Sequence, residues 1–452
     1  MVQASSGICH CVPVTSWQLQ RPARRIAGVD ALVVGAGSAG AVAAITAARL
    51  GARVLLVERE GTLGGTSTAV LDTFYGFYTP GDRPRRVVDG VGGEVVRRLH
   101  EREAAFERPN TYGAGTGVTY NPEVLRAVWD ELCREAGVEV LVHTSVVDVA
   151  VDEPGGTIAE VLLVSGTELL VVDPQVVIDA SGDAVVAHLA GARSEGFADV
   201  DDPQAMTVTF TLGPVDEAAW GSMTRQDVLD LLEVAAARGY DLPRRDGSVH
   251  PTTVPGVHFV HMTKVADLDP RDPFALSEAE RRGRAQAMEY TRFLADMVPG
   301  FGDAKPAWMS RRLGVRESRR VVGRYWLVRD DVLSGRRFPD AIAQAGAPIE
   351  VHGRGTGTDW AYVEGGATYD IPYRCLLPAD LDGMLVAGRC LSASHDAHAS
   401  ARNMAQCMAM GQAAGTAAAL AVDAETHPAR LDARAVRKQL VADGAFLDGA
   451  TA

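Results

Sequence analysis

The chain has 452 residues, 47% hydrophobic and 23% charged, enough for a large buried core and more than one domain usually holds. A formal net charge of −14 argues against a nucleic-acid partner or an anionic membrane surface, and no apolar run is long enough to span a bilayer. Cys9, Cys11, Cys133, Cys375, Cys390 and Cys407 contain no C-x-x-C, which disfavours a redox dithiol, a zinc ribbon or an iron–sulfur cluster; no metal site is expected, and scattered single cysteines suit a reducing cytoplasm. Residues 1–28 lack the apolar core of a signal peptide and read as an N-terminal extension. The first predicted element is a buried strand at 31–34. It runs into Gly35-x-Gly37-x-x-Gly40, then an Ala-rich helix, then a second strand at 53–57 followed by Glu58. That order is the β-turn-α-β unit that binds a dinucleotide. Gly35 permits the tight turn, Gly37 lets the backbone approach a pyrophosphate, and Gly40 lets the helix lie against the strand. Ser38 and Ala39 open the helix, whose free N–H groups and dipole favour phosphate. Glu58 stands where a carboxylate accepts both ribose hydroxyls, with Arg59 beside it.

A glycine-rich loop follows, in which Gly64 and Gly65 allow a second close approach, and Thr66 and Ser67 offer hydroxyls. Residues 86–103 are amphipathic at helical spacing. Asn121 and Pro122 are the cap and first residue of another helix, which Gly137 ends. A strand at 138–142 leads into three β runs, 145–151, 158–164 and 168–172, separated by turns at 154–156 and 165–166. They predict an antiparallel meander inserted as a crossover in a parallel sheet. The sheet resumes at 175–179, and Ala180, Ser181 and Gly182 turn into a helix at 184–190, at the carboxyl end of a strand where such sheets bind ligands.

Residues 197–365 change character: an alternating strand at 206–212, helices at 226–238 and 277–297, and prolines that break up the rest. They are read as an inserted α+β substrate domain. The arginine-dense segment 311–320 lies within it. A solvated charged face is the commoner reason for such a run, but Arg316 and Arg319 alternate with small and apolar residues, which leaves an inward direction open. Gly353-x-Gly355-x-Gly357 lacks a preceding strand and a following Ala-rich helix, so it reads as a mobile loop and not a second nucleotide site. The final block, 366–452, returns to the first domain, begun at 29–196. It has strands at 371–377 and 383–388, a polar loop at 393–401, and a Gly- and Ala-rich helix at 403–420.

These motifs together resemble the FAD-dependent oxidoreductases of glutathione-reductase type. They are the Gly35 fingerprint, Leu63-Gly-Gly65, Ile178-Asp-Ala-Ser-Gly-Asp183, the segment 314–323, Ile371-Pro-Tyr373, Leu385-Val-Ala-Gly-Arg-Cys390 and Gly411-Gln-Ala-Ala-Gly415. The resemblance covers most of the chain. It implies a Rossmann-like α/β fold with FAD as cofactor. Glu58 would hold the adenosine ribose, and backbone at Val146 or Val147 the adenine. Gly388 and Arg389 would lie near the diphosphate or ribityl chain, and Asn403 and Met404 would open a helix towards the flavin. Departures narrow the chemistry. Gly388-Arg389 stands where aromatic hydroxylases of this superfamily carry Gly-Asp, and the tryptophan motif of flavin halogenases is missing. What remains is dehydrogenation or oxidation of a small organic molecule, in secondary metabolism. His395 and His398 are the candidate bases. Arg402 and Arg316 are the candidate anion-binding groups, and Tyr75, Tyr78, Tyr369 and Tyr373 the candidate site walls. An NAD-dependent dehydrogenase and a flavoprotein that only passes electrons to a partner stay open beside this reading, as do an oligomer and a separate electron acceptor.

Overall fold

A computed structural model describes residues 21–110, 113–152 and 156–447. Cys9 and Cys11 lie outside the described residues, as does most of the turn expected at 154–156. The centre is a five-stranded sheet in the order Met384–Val386, Val176–Asp179, Ala31–Val34, Val54–Val57 and Glu139–Leu141. Every pair in it is parallel, with Ala31 opposite Val176 on one side and Val54 on the other. Its inner strands are runs of Ala, Val, Leu and Ile, with the buried Asp179 the one exception, as a sheet covered on both faces requires. Alternation assigns the faces: Ala31 and Val33 join the core under the helices, whereas Leu32 and Val34 join a second core with Val161, Leu163 and Leu170.

The helical face is built by Ser38–Arg49 and Met404–Asp423. Both are buried nearly all round and made of small residues, so their backbones meet. A Cβ on Gly411 would stand 2.1 Å from the Ala39 carbonyl oxygen, and one on Gly415 2.3 Å from that of Ala43. The opposite face carries the expected meander, Thr144–Val151, Ile158–Ser165 and Glu168–Val172, paired antiparallel in sequence. Arg24–Ile26 adds a fourth strand parallel to Glu168–Val172, inside what the sequence presents as an extension. Three residues at an exposed edge carry too little pattern to announce a strand.

Within the 197–365 segment, residues 206–315 have their own core, whereas Val321, Leu327, Ile342 and Ile349 pack into the two cores around the central sheet. Four antiparallel strands, Ser248–Pro251, His258–His261, Phe210–Gly213 and Lys305–Met309, pack on the helices Arg225–Ala237 and Pro273–Met297 through Phe210, Leu212, Leu232, Val260, Phe293 and Leu294. Of the strand expected at 206–212 only the end is regular; Met206 and Thr207 instead form isolated bridges to Val265 and Gly314.

Two expectations for the C-terminal block are corrected. Residues 371–377 are not one strand: Tyr369–Pro372 is extended, and Tyr373–Leu376 closes into a 3-10 turn after the proline. Residues 393–401 are not a loop: His395–Ala401 is helical, because Ser394 Oγ accepts from the Ala397 N–H and three alanines follow at alternate positions. The Gly353–Gly357 stretch joins two antiparallel strands, Ile349–Val351 and Asp359–Ala361, and Lys264 Nζ donates to the carbonyls of Gly355 and Gly357.

Candidate active site

One continuous cleft of about 450 Å³ runs from the first βαβ unit to the inserted sheet. At its first end Gly35 sits at φ 90°, and a Cβ there would stand 2.6 Å from the Ala180 carbonyl oxygen. Only glycine lets these two strand ends meet. A Cβ on Gly37 would meet nothing within 4 Å, so space for a ligand opens over that residue and the N-terminus of the Ser38–Arg49 helix. Glu58 is buried, with Oε2 accepting from Ala36 N at 2.7 Å and Oε1 from Glu60 N at 2.9 Å. Both oxygens are fixed and each keeps a lone pair. That acceptor pair fits a ribose diol, and the open glycine turn beside it fits a diphosphate.

The cleft then passes Gly65, Thr66, Ala180, Ser181, Gly182, Gly388 and Arg389. The Gly64–Gly65 loop is tied down by Gly64 N donating to Ala36 O at 2.7 Å. Arg389 donates to Asp183 at 2.7 Å and to Ser318 Oγ at 2.7 Å, and Arg59 also faces Asp183, at 3.7 Å. Burial would raise the Asp183 carboxyl, but Arg389 and Arg59 overcome it and hold it down to about 2. Arg312 arrives from the inserted domain: its Nη2 would lie 3.8 Å from a Cβ on Gly65, and its buried Nε has no hydrogen-bond partner. Asn403 and Met404, at the start of the Met404–Asp423 helix, complete this stretch.

The far end is walled by Tyr75, Arg108, Arg244, His261, Arg316, Glu350, His352, Trp360 and Arg402. Tyr75 Oη accepts from Arg108 Nη2 at 2.8 Å, and burial pushes its phenol up. Arg316 Nη1 donates to Ala205 O at 2.5 Å and Nη2 meets His261 Nε2 at 3.1 Å. Thr358 Oγ1 lies 3.1 Å from His352 Nδ1, and His352 Nε2 lies 2.8 Å from Glu350 Oε1. Burial, then the surrounding arginines, push both His261 and His352 well below the ordinary histidine value, so both are neutral. A neutral His352 with Nε2 protonated donates to Glu350 and accepts from Thr358.

Of the expected site residues, Gly35, Gly37, Ser38, Ala39, Glu58, Arg59, Gly65, Thr66, Ala180, Ser181, Gly182, Gly388, Arg389, Asn403 and Met404 line this cleft with Arg316 and Arg402. Gly40, Gly64 and Ser67 stand behind it: a Cβ on Gly40 would collide with Gly35 O, and Ser67 Oγ donates to Gly64 O. Val147 is exposed and off the cleft; its neighbour Val146 lines it, because successive strand residues point to opposite faces. His395 and His398 also lie off the cleft. His395 Nδ1 is 2.8 Å from the buried Glu317 carboxylate, and His398 Nε2 donates to Arg389 O at 2.7 Å. Burial drives His398 down to about 3, so it is neutral and holds the Gly388–Arg389 turn. Tyr369 and Tyr373 are core residues bonded to Ser400 and Pro428. Sequence reading missed Arg244, His261, Glu350, His352 and Arg312. Only Arg312 carried a local signal, its place in the arginine-dense segment.

A protein-family model described as FAD dependent oxidoreductase matches residues 30–440. A thiamine thiazole synthase from Aeropyrum pernix is 34% identical over 176 residues, which cover 36% of this chain and 58% of that protein, so the chain spans just over half the length of this relative. Among solved structures, a geranylgeranyl bacteriochlorophyll reductase-like protein from Thermoplasma acidophilum aligns over 94% of this chain and 85% of its own, at 12% identity and a TM-score of 0.46. A p-nitrophenol 4-monooxygenase from Pseudomonas putida aligns over 93% and 85%, at 13% identity and a TM-score of 0.46. With a family model that spans nearly the whole chain, and a cleft whose glycine turn and ribose acid suit the cofactor, the protein belongs to the FAD dependent oxidoreductase family.

Proposed function

We propose that the protein is a dehydrogenase or oxidase that takes a hydride from a small organic substrate, such as an amine, an alcohol or a saturated heterocycle. The observation that carries this reading is the single cleft that joins the Glu58 end to a wall of titratable side chains. Bound FAD supplies two-electron acceptance at flavin N5. We read the fold as one of glutathione-reductase type that keeps its first dinucleotide unit, with residues 29–196 and 366–452 holding the cofactor and 197–365 the substrate. The four described cysteines are free and buried, in keeping with a cytoplasmic setting.

The chain's own residues divide the work. Glu58 and the glycine turn hold the adenosine end. The N-terminus of the Met404–Asp423 helix opens on the middle of the cleft, where its dipole stabilises negative charge. Glu350, oriented by the Thr358–His352 chain, is the proton acceptor we assign in place of His395 and His398. Trp360 lies over Gly113 at the rim of the cleft.

The test is anaerobic flavin reduction. Purified protein is expected to be yellow and to bleach with a member of a panel of amines, alcohols and saturated heterocycles. Colourless protein that takes up no added FAD overturns the reading; so does flavin that only a co-purifying protein reduces. Glu350→Gln is expected to slow reduction about a hundredfold with FAD content unchanged, as loss of a general base does. Normal rates in that variant across pH would remove the base assignment.

A further inference from the structure

We propose that the substrate is a carboxylate, held at the far end of the cleft by Arg402, Arg316 and Arg244. The proposal deepens the oxidoreductase reading and rests on it for the word substrate. Three observations lead to it. Arg402 stands at the break between the His395–Ala401 and Met404–Asp423 helices, and its Nε and Nη2 are buried with no hydrogen-bond partner. Arg316 is buried and spends its hydrogen bonds on two neutral acceptors, Ala205 O and His261 Nε2. Among the described residues neither arginine has a carboxylate within 4.0 Å, whereas Arg244 pairs with Asp246 at 2.7 Å.

Buried guanidinium groups without a paired carboxylate are costly, and these face the same space and repel one another. Glu350, among the described residues the one carboxylate that opposes both Arg316 and Arg402, makes its close contact with His352 instead. Burial, then Arg244 and Arg402, depress the Arg316 guanidinium. The nearby imidazoles are neutral and relieve none of this charge. A guanidinium fork matches a planar pair of oxygens, so a carboxylate is the small anion that satisfies it best. Glu350 faces the same space and would repel a dianionic phosphoryl group more than a singly charged carboxylate. The reduced flavin does not account for Arg316, which is a buried cation without a paired carboxylate whatever the redox state.

The test uses FAD-loaded protein in its oxidised form, with calorimetric titration at fixed ionic strength. The probes are acetate, malonate and benzoate, each beside its amide (acetamide, malonamide, benzamide) and beside methylphosphonate. At least one acid is expected to saturate, its amide to bind about tenfold more weakly or worse, and Arg402→Gln and Arg316→Lys each to weaken the acid about tenfold with the flavin spectrum retained. The proposal is overturned if no acid saturates, if acid and amide bind alike, if methylphosphonate binds more tightly than acetate, or if both variants keep full acid affinity. The acid–amide comparison on the unaltered protein decides the matter should a variant fail to fold. Acid binding in a protein that no donor reduces would remove the oxidoreductase reading and leave the anion site. A neutral substrate that reduces the flavin without competition from the acids would do the reverse.

Discussion

Glu58 shows what a single residue's position in sequence can reveal. A carboxylate directly after the second strand of a glycine-turn unit has one geometric outcome, because strand length and turn are both short. Its two backbone bonds then fix the carboxylate. Glu58→Gln is expected to weaken FAD about tenfold to a hundredfold, read by fluorescence titration of the apoprotein, since an amide replaces a charged acceptor of hydrogen bonds. Glu350, His352 and His261 had no comparable signal. Glu350 and His352 are two apart at the end of one short strand, and only tertiary packing brings His261 to them from another. His395 and His398 carry the opposite lesson. Histidines in a polar stretch look reactive, but one holds Glu317 and the other a carbonyl. Glu317 is fully buried; burial would raise it, yet the His395 hydrogen bond and the Arg320 guanidinium hold it down to about 2, from an ordinary 4.5. A depressed carboxyl stabilises the fold above its unfolded value and loses that contribution as pH falls towards 2. Denaturant midpoints should therefore fall between about pH 5 and pH 2. Glu317→Gln should cost on the order of 3 kcal/mol at pH 7 and flatten that acid slope.

Among elements, the long periodic ones were legible. The helix Pro122–Ala136 begins and ends where Asn121, Pro122 and Gly137 indicate, with Asn121 Oδ1 accepting from the N–H groups of Glu123 and Val124. The meander and the parallel strands follow the same rule. Short elements were not legible, because Thr73–Phe74 or Arg24–Ile26 is stabilised by its partners and not by its own pattern. The His395–Ala401 helix was hidden by its polar start, although Ser394 is an ordinary cap. Ser394→Ala should lower stability by about 1 kcal/mol, measurable as a shift in the urea midpoint. The Ser38–Arg49 and Met404–Asp423 pair is less forgiving. Gly411→Ala sets a methyl against the Ala39 carbonyl, with backbone on both sides and no flexible side chain to give way. A loss of about 1–3 kcal/mol is expected, with a weaker hold on FAD because both helix N-termini open on the cleft.

At the scale of the whole molecule, three cores border one cleft. The inserted sheet and its helices have their own buried cluster, and the cofactor-binding half has two more on either side of its central sheet. Because the cleft draws residues from 34 to 407, a ligand in it ties these parts together. Excess FAD should raise the unfolding midpoint of the apoprotein, with stability rising about 1.4 kcal/mol for each tenfold increase in free FAD. A midpoint indifferent to FAD concentration would count against a cleft that closes around the cofactor. The order of the central sheet adds a consequence for the chain as it is made. Its Met384–Val386 strand, and the Met404–Asp423 helix that covers Ser38–Arg49, are synthesised more than 300 residues after that first helix. At ribosomal speed the small-residue face of the first helix waits on the order of tens of seconds for its partner. During that wait the nascent polypeptide exposes a surface that a holdase can occupy, and the cleft lacks the helix start at Asn403 and Met404 that completes it.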